Sequence, residues 1–341
     1  MFSTLKKVFS TTALAAVITA SPLALADYSE HPEAKAFIAK MVNEYGLSEK
    51  EVVRILKDAN KQQSILDAIA RPAEKTKPWF EYRNIFLGES RITQGVEFWA
   101  ENADTLAKAS KEFGVPEQII VAIIGVETRY GRHAGSYRVI DALTTLGFDY
   151  PPRSTFFAKE LENFLLLTTE QKQNPLALKG SYAGAMGYGQ FMPSSYRAYA
   201  VDFDGDKKAD IWNNPKDAIG SVANYFRAHK WQTGEPVMVR ARIAEGYDES
   251  ILDSRSRPSL TATEVAAKGF TPVDVEIPGD TKVMPIAYDG EKGKEYWLGY
   301  DNFYVITRYN RSHMYARAVW ELSEEILYRH NSPAPASVAT P

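Results

Sequence analysis

The chain has 341 residues, of which 45% are apolar, 24% charged and 12% aromatic. That length accommodates two or three domains of roughly 100–200 residues each, with the composition of a globular protein. A formal net charge of −3 leaves no broad basic field for nucleic acid, and with no cysteine in the sequence neither disulfides, a thiolate nucleophile nor lipid attachment through an N-terminal cysteine is expected.

Lys6 and Lys7 precede an apolar stretch at residues 8–20, and Ala24-Leu25-Ala26 has the small-x-small pattern of a cleavage site. The stretch falls short of the ~20 residues of a spanning helix and contains Ser and Thr, so residues 1–26 read as a cleaved export signal, not an anchor. An exported protein that is monomeric and not a lipoprotein is the expectation.

Residues 27–112 read as an N-terminal helical region. Apolar residues recur at helical spacing from Ala36 to Val42. Ser48 then opens a second helix carrying Val52, Val53, Ile55 and Leu56. A charged, proline-punctuated break at residues 71–78 precedes Trp79-Phe80-Glu81-Tyr82-Arg83, and one helix is expected over residues 93–113.

Residues 113–232 carry the chemistry. Val115-Pro116-Glu117 starts a helix whose run Ile119-Ile120-Val121-Ala122-Ile123-Ile124-Gly125-Val126 is apolar on every face, so it should be buried and carry Glu127 in with it. Desolvation and the negative end of the helix dipole both disfavour a charged carboxylate there and raise its pKa. A carboxyl kept protonated near neutral pH is a general acid, used in glycosidases to protonate the leaving oxygen. The bland alternative is a Glu paired with Arg129 or Arg132 at a helix end.

A helix over residues 154–169 follows, and then a loop at residues 180–192 with glycines at 180, 184, 187 and 189. These glycines permit tight turns and close approach of backbone to ligand. Tyr182, Tyr188 and Phe191 offer ring faces for sugars, and Ser181 and Gln190 offer hydrogen bonds. The alternative is a connecting loop whose aromatics pack into the core.

Next comes Asp202-Phe203-Asp204-Gly205-Asp206-Lys207-Lys208-Ala209-Asp210, whose alternating carboxylates resemble the first part of an EF-hand. It departs from that pattern at the glycine, which is at position 4 of the loop instead of 6, and at position 12, which is Asn213 instead of Glu. Asp217, opening the next helix, can supply the missing carboxylate. The reading is a structural Ca²⁺ site, against a merely solvated acidic turn.

A small α/β subdomain is expected over residues 233–298, with strands at 237–241, 273–277 and 283–287. A hairpin at Asp289-Gly290 leads to Tyr296-Trp297-Leu298, and a short helix starts at Thr261-Ala262-Thr263-Glu264. Residues 299–330 return to the core through a helix over 312–328, and 331–341 form a Pro/Ala/Ser-rich tail expected to be disordered. The fold class is α+β, mostly helical. The histidines show no zinc spacing, and no phosphate loop, dinucleotide fingerprint or nucleophile elbow is present.

Taken together, Trp79 to Arg83, Gly125-Val126-Glu127-Thr128-Arg129-Tyr130-Gly131, the 178–196 loop, residues 217–231 and residues 302–310 resemble the lytic murein transglycosylase B family. The resemblance covers nearly the whole mature chain. It implies a lysozyme-like core with helical and small β subdomains around a groove that binds peptidoglycan glycan strands, and it adds proteins of wall synthesis as a further class of partner. By position, Glu127 would be the catalytic acid and later the base. Tyr82, Ser181, Gln190, Tyr225, Tyr304 and Tyr309 would line glycan subsites beside Tyr188 and Phe191. Arg153 would match one of a family pair of arginines, with Pro152 replacing the other. Asp202, Asp204, Asp206, the Lys208 carbonyl and Asp217 would hold Ca²⁺, with no organic cofactor.

The family's reaction cleaves the β-1,4 bond between N-acetylmuramic acid and N-acetylglucosamine and leaves 1,6-anhydro ends, with one Glu acting without a carboxylate partner. A hydrolytic muramidase and a non-catalytic peptidoglycan-binding scaffold are the alternatives.

Overall fold

The computed structural model describes residues 27–70 and 77–332; the segment read as an export signal, most of the proline-punctuated break and the tail beyond Ser332 lie outside them. Helices α1 (Ala34–Asn43), α2 (Glu49–Asp58) and α3 (Gln63–Ile69) open the chain. In α2 the apolar Val52, Ile55 and Leu56 are buried while Glu49, Glu51 and Lys57 stay in water, the division expected of a surface helix.

A single turn, α4 (Trp79–Tyr82), leads to α5 (Glu89–Glu101) and α6 (Ala103–Phe113). The single helix expected over 93–113 is therefore two. Asn102 separates them at φ −123°, ψ 20°, with its side-chain amide donating to the Phe98 carbonyl at 2.9 Å. An Asn side chain that competes for backbone partners is a common helix breaker.

Helix α7 (Glu117–Thr128) is the hydrophobic axis, with every residue from Ile119 to Val126 buried. Each of its six large aliphatic side chains is worth about 1.5–3 kcal/mol of burial, and this outweighs the poor helix propensity of Ile and Val. Strand β1 (Tyr137–Arg138) then runs into α8 (Val139–Asp149), and α9 (Ser154–Glu170) packs along α8. β1 pairs antiparallel with β2 (Lys179–Gly180). Helices α10 (Pro193–Tyr199) and α11 (Pro215–Ala228) complete this half of the core.

A five-stranded antiparallel sheet follows, built from β3 (Met238–Ile243), β4 (Leu260–Thr261), β5 (Phe270–Pro272), β6 (Lys282–Gly290) and β7 (Gly293–Gly299) in the order β4-β6-β7-β3-β5. Its small core gathers Ala241, Val265, Phe270, Val283, Tyr296, Leu298 and Tyr300. Helix α12 (Ala262–Ala267) starts at the expected place, with a capping box between Thr261 and Glu264.

Two local expectations fail. The strand expected at 273–277 ends early, at Pro272, and Asp274 takes a left-handed φ of 59° that breaks the extended run. The hairpin turn lies at Glu291-Lys292, because Asp289 and Gly290 still pair with Lys294 and Gly293. Helices α13 (Asp301–Tyr309) and α14 (His313–Asn331) return to the core, where α14 lies along α7.

Candidate active site

Glu127 lies in the last turn of α7, and it is only half-buried where full burial was expected, although Val126 and Thr128 on either side of it are buried. Arg129, Tyr130 and Gly131 follow with φ of 51°, 61° and 85°, three successive left-handed residues. For residues bearing a Cβ this costs roughly 1–2 kcal/mol each, so neighbours must hold the turn in place. Tyr130 donates its hydroxyl to the Arg91 carbonyl at 2.9 Å, and Arg91 donates to the Gly125 carbonyl at 2.5 Å. Both arginines offered as structural partners of Glu127 reach toward α5. Arg129 binds Gln94 at 2.7 Å and Ser90 at 2.8 Å, and Arg132 lies 4.0 Å from Glu97. Glu127 itself accepts a 2.5 Å hydrogen bond at Oε1 from the hydroxyl of Tyr315, on α14.

The glycine loop is tied to this helix end. The Thr128 hydroxyl lies 2.8 Å from the Tyr188 carbonyl, and the Gly131 N–H donates to the same hydroxyl at 3.0 Å. A Cβ on Gly131 would sit 2.3 Å from the Tyr188 ring, so only glycine fits there. Met186 and Phe191 exchange backbone hydrogen bonds at 2.9 Å, which closes the loop on itself. Ser181 Oγ accepts from the Ala185 N–H at 3.0 Å. Gln190, at a left-handed φ of 49°, donates to the Gly187 carbonyl at 3.0 Å and the Ala134 carbonyl at 3.2 Å.

Three tyrosines gather around the carboxylate. Tyr309 donates to the Gly189 carbonyl at 2.5 Å, and Tyr225 donates to the Arg308 carbonyl at 2.6 Å with its ring 4.7 Å from that of Tyr309. Burial pushes the phenols of Tyr225, Tyr309 and Tyr315 up, and the negative charge of Glu127 pushes all three further. They therefore stay protonated and act as hydrogen-bond donors.

The other sequence-predicted residues are placed unevenly. Phe191 is buried with its ring 5.8 Å from Tyr225 and 6.0 Å from Tyr309, so it braces those rings instead of offering an open face. Tyr82 is equally buried, packed against Trp79 and Phe86. Tyr188 is half-buried and Tyr182 exposed. The Tyr304 ring carries the Arg308 guanidinium at 4.1 Å and that of Arg257 at 5.4 Å. Arg153 lies on the exposed turn before α9, stacked over Phe156 at 4.5 Å and Phe157 at 5.1 Å.

The acidic loop brings carboxylate oxygens of Asp202, Asp204 and Asp217 within 4.8 Å of one another. Asp217 is fully buried; it accepts from the Phe203 and Asp210 N–H groups at 2.8 Å each. Burial raises its pKa, and the charges of Asp204 and Asp202 add to the rise. The Asp206 carboxylate accepts from the Lys208 N–H at 2.8 Å and lies outside that trio. A hard divalent cation suits this all-oxygen donor set, since it would offset the repulsion between two exposed carboxylates and a buried one.

The model for the Transglycosylase SLT domain matches residues 29–324. The chain belongs to that family. It is 44% identical over 309 residues to the membrane-bound lytic murein transglycosylase B of Escherichia coli, covering 88% of this chain and 84% of that protein. The crystal structure of soluble lytic transglycosylase SltB1 from Pseudomonas aeruginosa superposes with a TM-score of 0.83 at 55% identity, over 87% of this chain and 99% of that one. The Escherichia coli lytic transglycosylase Slt35 in complex with calcium matches with a TM-score of 0.81 at 43% identity, over 89% and 95% of the two chains. The protein is thus a lytic murein transglycosylase with the mostly helical, lysozyme-like fold of those enzymes.

In this transglycosylase the residue that sequence reasoning missed is Tyr315. Its signal was available. Ser312 caps α14, and Tyr315, Val319, Leu322 and Ile326 form one buried stripe at helical spacing, headed by the only polar tip. What the sequence does not carry is that the stripe faces α7.

Proposed function

We propose that Glu127 is the single acid–base group of this enzyme, and that it cleaves the β-1,4 bond between N-acetylmuramic acid and N-acetylglucosamine without a carboxylate partner. Glu127 gives its proton to the leaving oxygen. It then takes the proton of the muramic C6 hydroxyl as that oxygen attacks C1, which closes a 1,6-anhydro ring and consumes no water. The observation that carries this reading is the 2.5 Å hydrogen bond from the buried Tyr315 hydroxyl to Glu127 Oε1, which holds one carboxyl in the last turn of α7. A paired mechanism would instead require a second carboxyl about 5–10 Å away.

Ser181 and Gln190, on the loop fastened to the end of α7, are the proposed contacts to N-acetyl and hydroxyl groups; Tyr188 and Tyr304 are the proposed stacking surfaces. The Asp202, Asp204 and Asp217 trio is the proposed Ca²⁺ site, completed by Asp206 and the Lys208 carbonyl. Its place between α10 and α11 makes it structural, since it fixes a loop. Export after cleavage before Asp27 is the matching proposal for location. Among the described residues, no helix is long and apolar enough to cross a membrane.

The test is product mass from purified peptidoglycan. The enzyme should release anhydro ends, lighter by one water than hydrolysed ends, and Glu127→Gln should lower the rate by about 10²–10⁴-fold, the usual contribution of a general acid–base. Hydrolysed ends from the parent enzyme would establish the muramidase alternative instead. A Glu127→Gln variant that still turned over would leave the carboxyl without a catalytic role.

A further inference from the structure

Arg308 lies in the last turn of α13, next to Tyr309. A cation is favoured at that end of a helix, which accounts for the charge but not for its surroundings. The residue is half-buried, and its guanidinium stacks on the Tyr304 ring at 4.1 Å. Its Nη2 donates to Thr307 Oγ1 at 3.0 Å, and the Thr307 hydroxyl donates in turn to the Tyr304 carbonyl at 2.6 Å. Ring and hydroxyl together hold the group in one orientation.

No counter-ion accompanies it. Arg257, the other guanidinium over Tyr304, pairs with Asp301 at 3.5 Å, whereas among the described residues no carboxylate pairs with Arg308. Its Nε is enclosed by protein and can serve no ligand. Nη1 differs: it is not enclosed, and among the described residues no protein atom accepts from it. A half-buried charge without a partner loses hydration that nothing offsets, so an oriented guanidinium with one open edge suits an acidic group from outside the chain.

Tyr225 relates that edge to the chemistry. Its hydroxyl donates to the Arg308 carbonyl at 2.6 Å, and its ring lies 4.7 Å from that of Tyr309. Burial pushes the Tyr225 phenol up; Arg308 draws it down and Glu127 pushes it further up. One hydroxyl is thus within electrostatic reach of both the guanidinium and the carboxyl. A glycan strand held at Glu127 has few groups to bring there. Its hydroxyls and acetamides are neutral and occur on both sugars. The lactyl group on O3 of the muramic residue is the one acid of the glycan itself, and N-acetylglucosamine lacks it.

We propose that Arg308 binds the lactyl carboxyl oxygens of N-acetylmuramic acid and so sets which sugar of an alternating strand takes the place beside Glu127. This specificity role rests on the peptidoglycan reading proposed above. The bonded group is a carboxylate on bare glycan and an amide carbonyl where a peptide is attached. Both offer Nη1 an acceptor, and the carboxylate is the stronger one.

Calorimetric titration in a Glu127→Gln background compares three tetrasaccharides: alternating N-acetylglucosamine and N-acetylmuramic acid with free lactyl carboxylates, the same strand with lactyl amides, and N-acetylglucosamine throughout. Arg308→Gln should weaken the first roughly 10- to 100-fold, weaken the second less, and leave the third unchanged. Arg308→Lys, which keeps the charge but not the planar fork, should recover part of the loss on the first. An equal loss on all three, or no loss on the first, would make Arg308 a packing residue of α13 and refute the assignment. Equal affinity for the first and third strands with Arg308 intact refutes it as well, with no substitution at that position needed. Failure of the peptidoglycan reading shows separately, as a parent enzyme that releases no anhydro ends from murein.

Discussion

Tyr315→Phe isolates one atom of the proposed mechanism. The phenol donates to Glu127 Oε1 at 2.5 Å and is buried, so phenylalanine fills the same space and loses only the hydroxyl. A hydrogen bond to a neutral carboxyl contributes about 0.5–1.5 kcal/mol, and one to a carboxylate about 1.5–3 kcal/mol. Glu127 becomes a carboxylate as it protonates the leaving oxygen, so the bond strengthens toward the transition state by about 1–1.5 kcal/mol. That difference, not the whole bond, appears in kcat, and it corresponds to roughly a 5- to 10-fold loss. The pH profile must move as well. A donor that favours the charged form holds an acid's pKa down, so its removal shifts the alkaline limb of kcat to higher pH. The assay is anhydro-product release from murein across pH, with thermal melting to establish that the variant is folded. A folded Tyr315→Phe enzyme with parental kcat and an unmoved alkaline limb would refute the assignment of Tyr315 as the positioning residue for Glu127.

Two further outcomes follow from the same geometry. If the Asp202, Asp204 and Asp217 trio holds Ca²⁺, saturation at about 100 times Kd should add roughly 2.7 kcal/mol of stability that chelator removes and that Asp217→Asn abolishes; melting curves indifferent to both would exclude a stabilising ion. Gly131→Ala should cost about 2–4 kcal/mol in denaturant unfolding, because φ of 85° is strained for alanine and the new Cβ would lie 2.3 Å from the Tyr188 ring. A near-neutral result there would mean that the turn after Glu127 relaxes freely.

The part of this fold legible in the sequence is the part where polarity alternates with helical or strand period. Helices α2 and α14 have one wet face, so their patterns identify them, and the β6–β7 hairpin is legible in its strands although its turn lies beyond the expected Asp289-Gly290. Helix α8 has no such pattern. All ten residues from Val139 to Phe148 are buried, with Asp141 and two threonines among them, so nothing in the run marks a face. Helix α13 misleads more actively. Tyr304, Val305, Ile306 and Thr307 favour strands, and only packing in the core makes them helical. The site divides the same way. Glu127 stands out because a local run isolates it, and the glycine loop because its composition is local. Tyr315 lies 188 residues away, and no local pattern links it to α7.

That long separation places a demand on the sheet inserted between α11 and α13. For α14 to deliver Tyr315 to Glu127 at hydrogen-bond distance, the chain must leave the core after Trp231 and re-enter it at nearly the same point. Asn302 enforces this. It is fully buried at the start of α13, accepts from the Gln232 N–H at 2.8 Å, and donates to the Gln232 and Glu235 carbonyls at 2.8 Å each. One side chain thus ties the exit of the excursion to its return. The insertion's own apolar cluster around Phe270 and Val265 then carries the burial its strands need. Loop closure grows only slowly with length, so an excursion pinned at its base adds little entropy cost beyond the pin itself. The distance between Tyr315 and Glu127 is accordingly set by Asn302 and the α7–α14 contact, and the sheet can vary in its outer strands without moving one relative to the other.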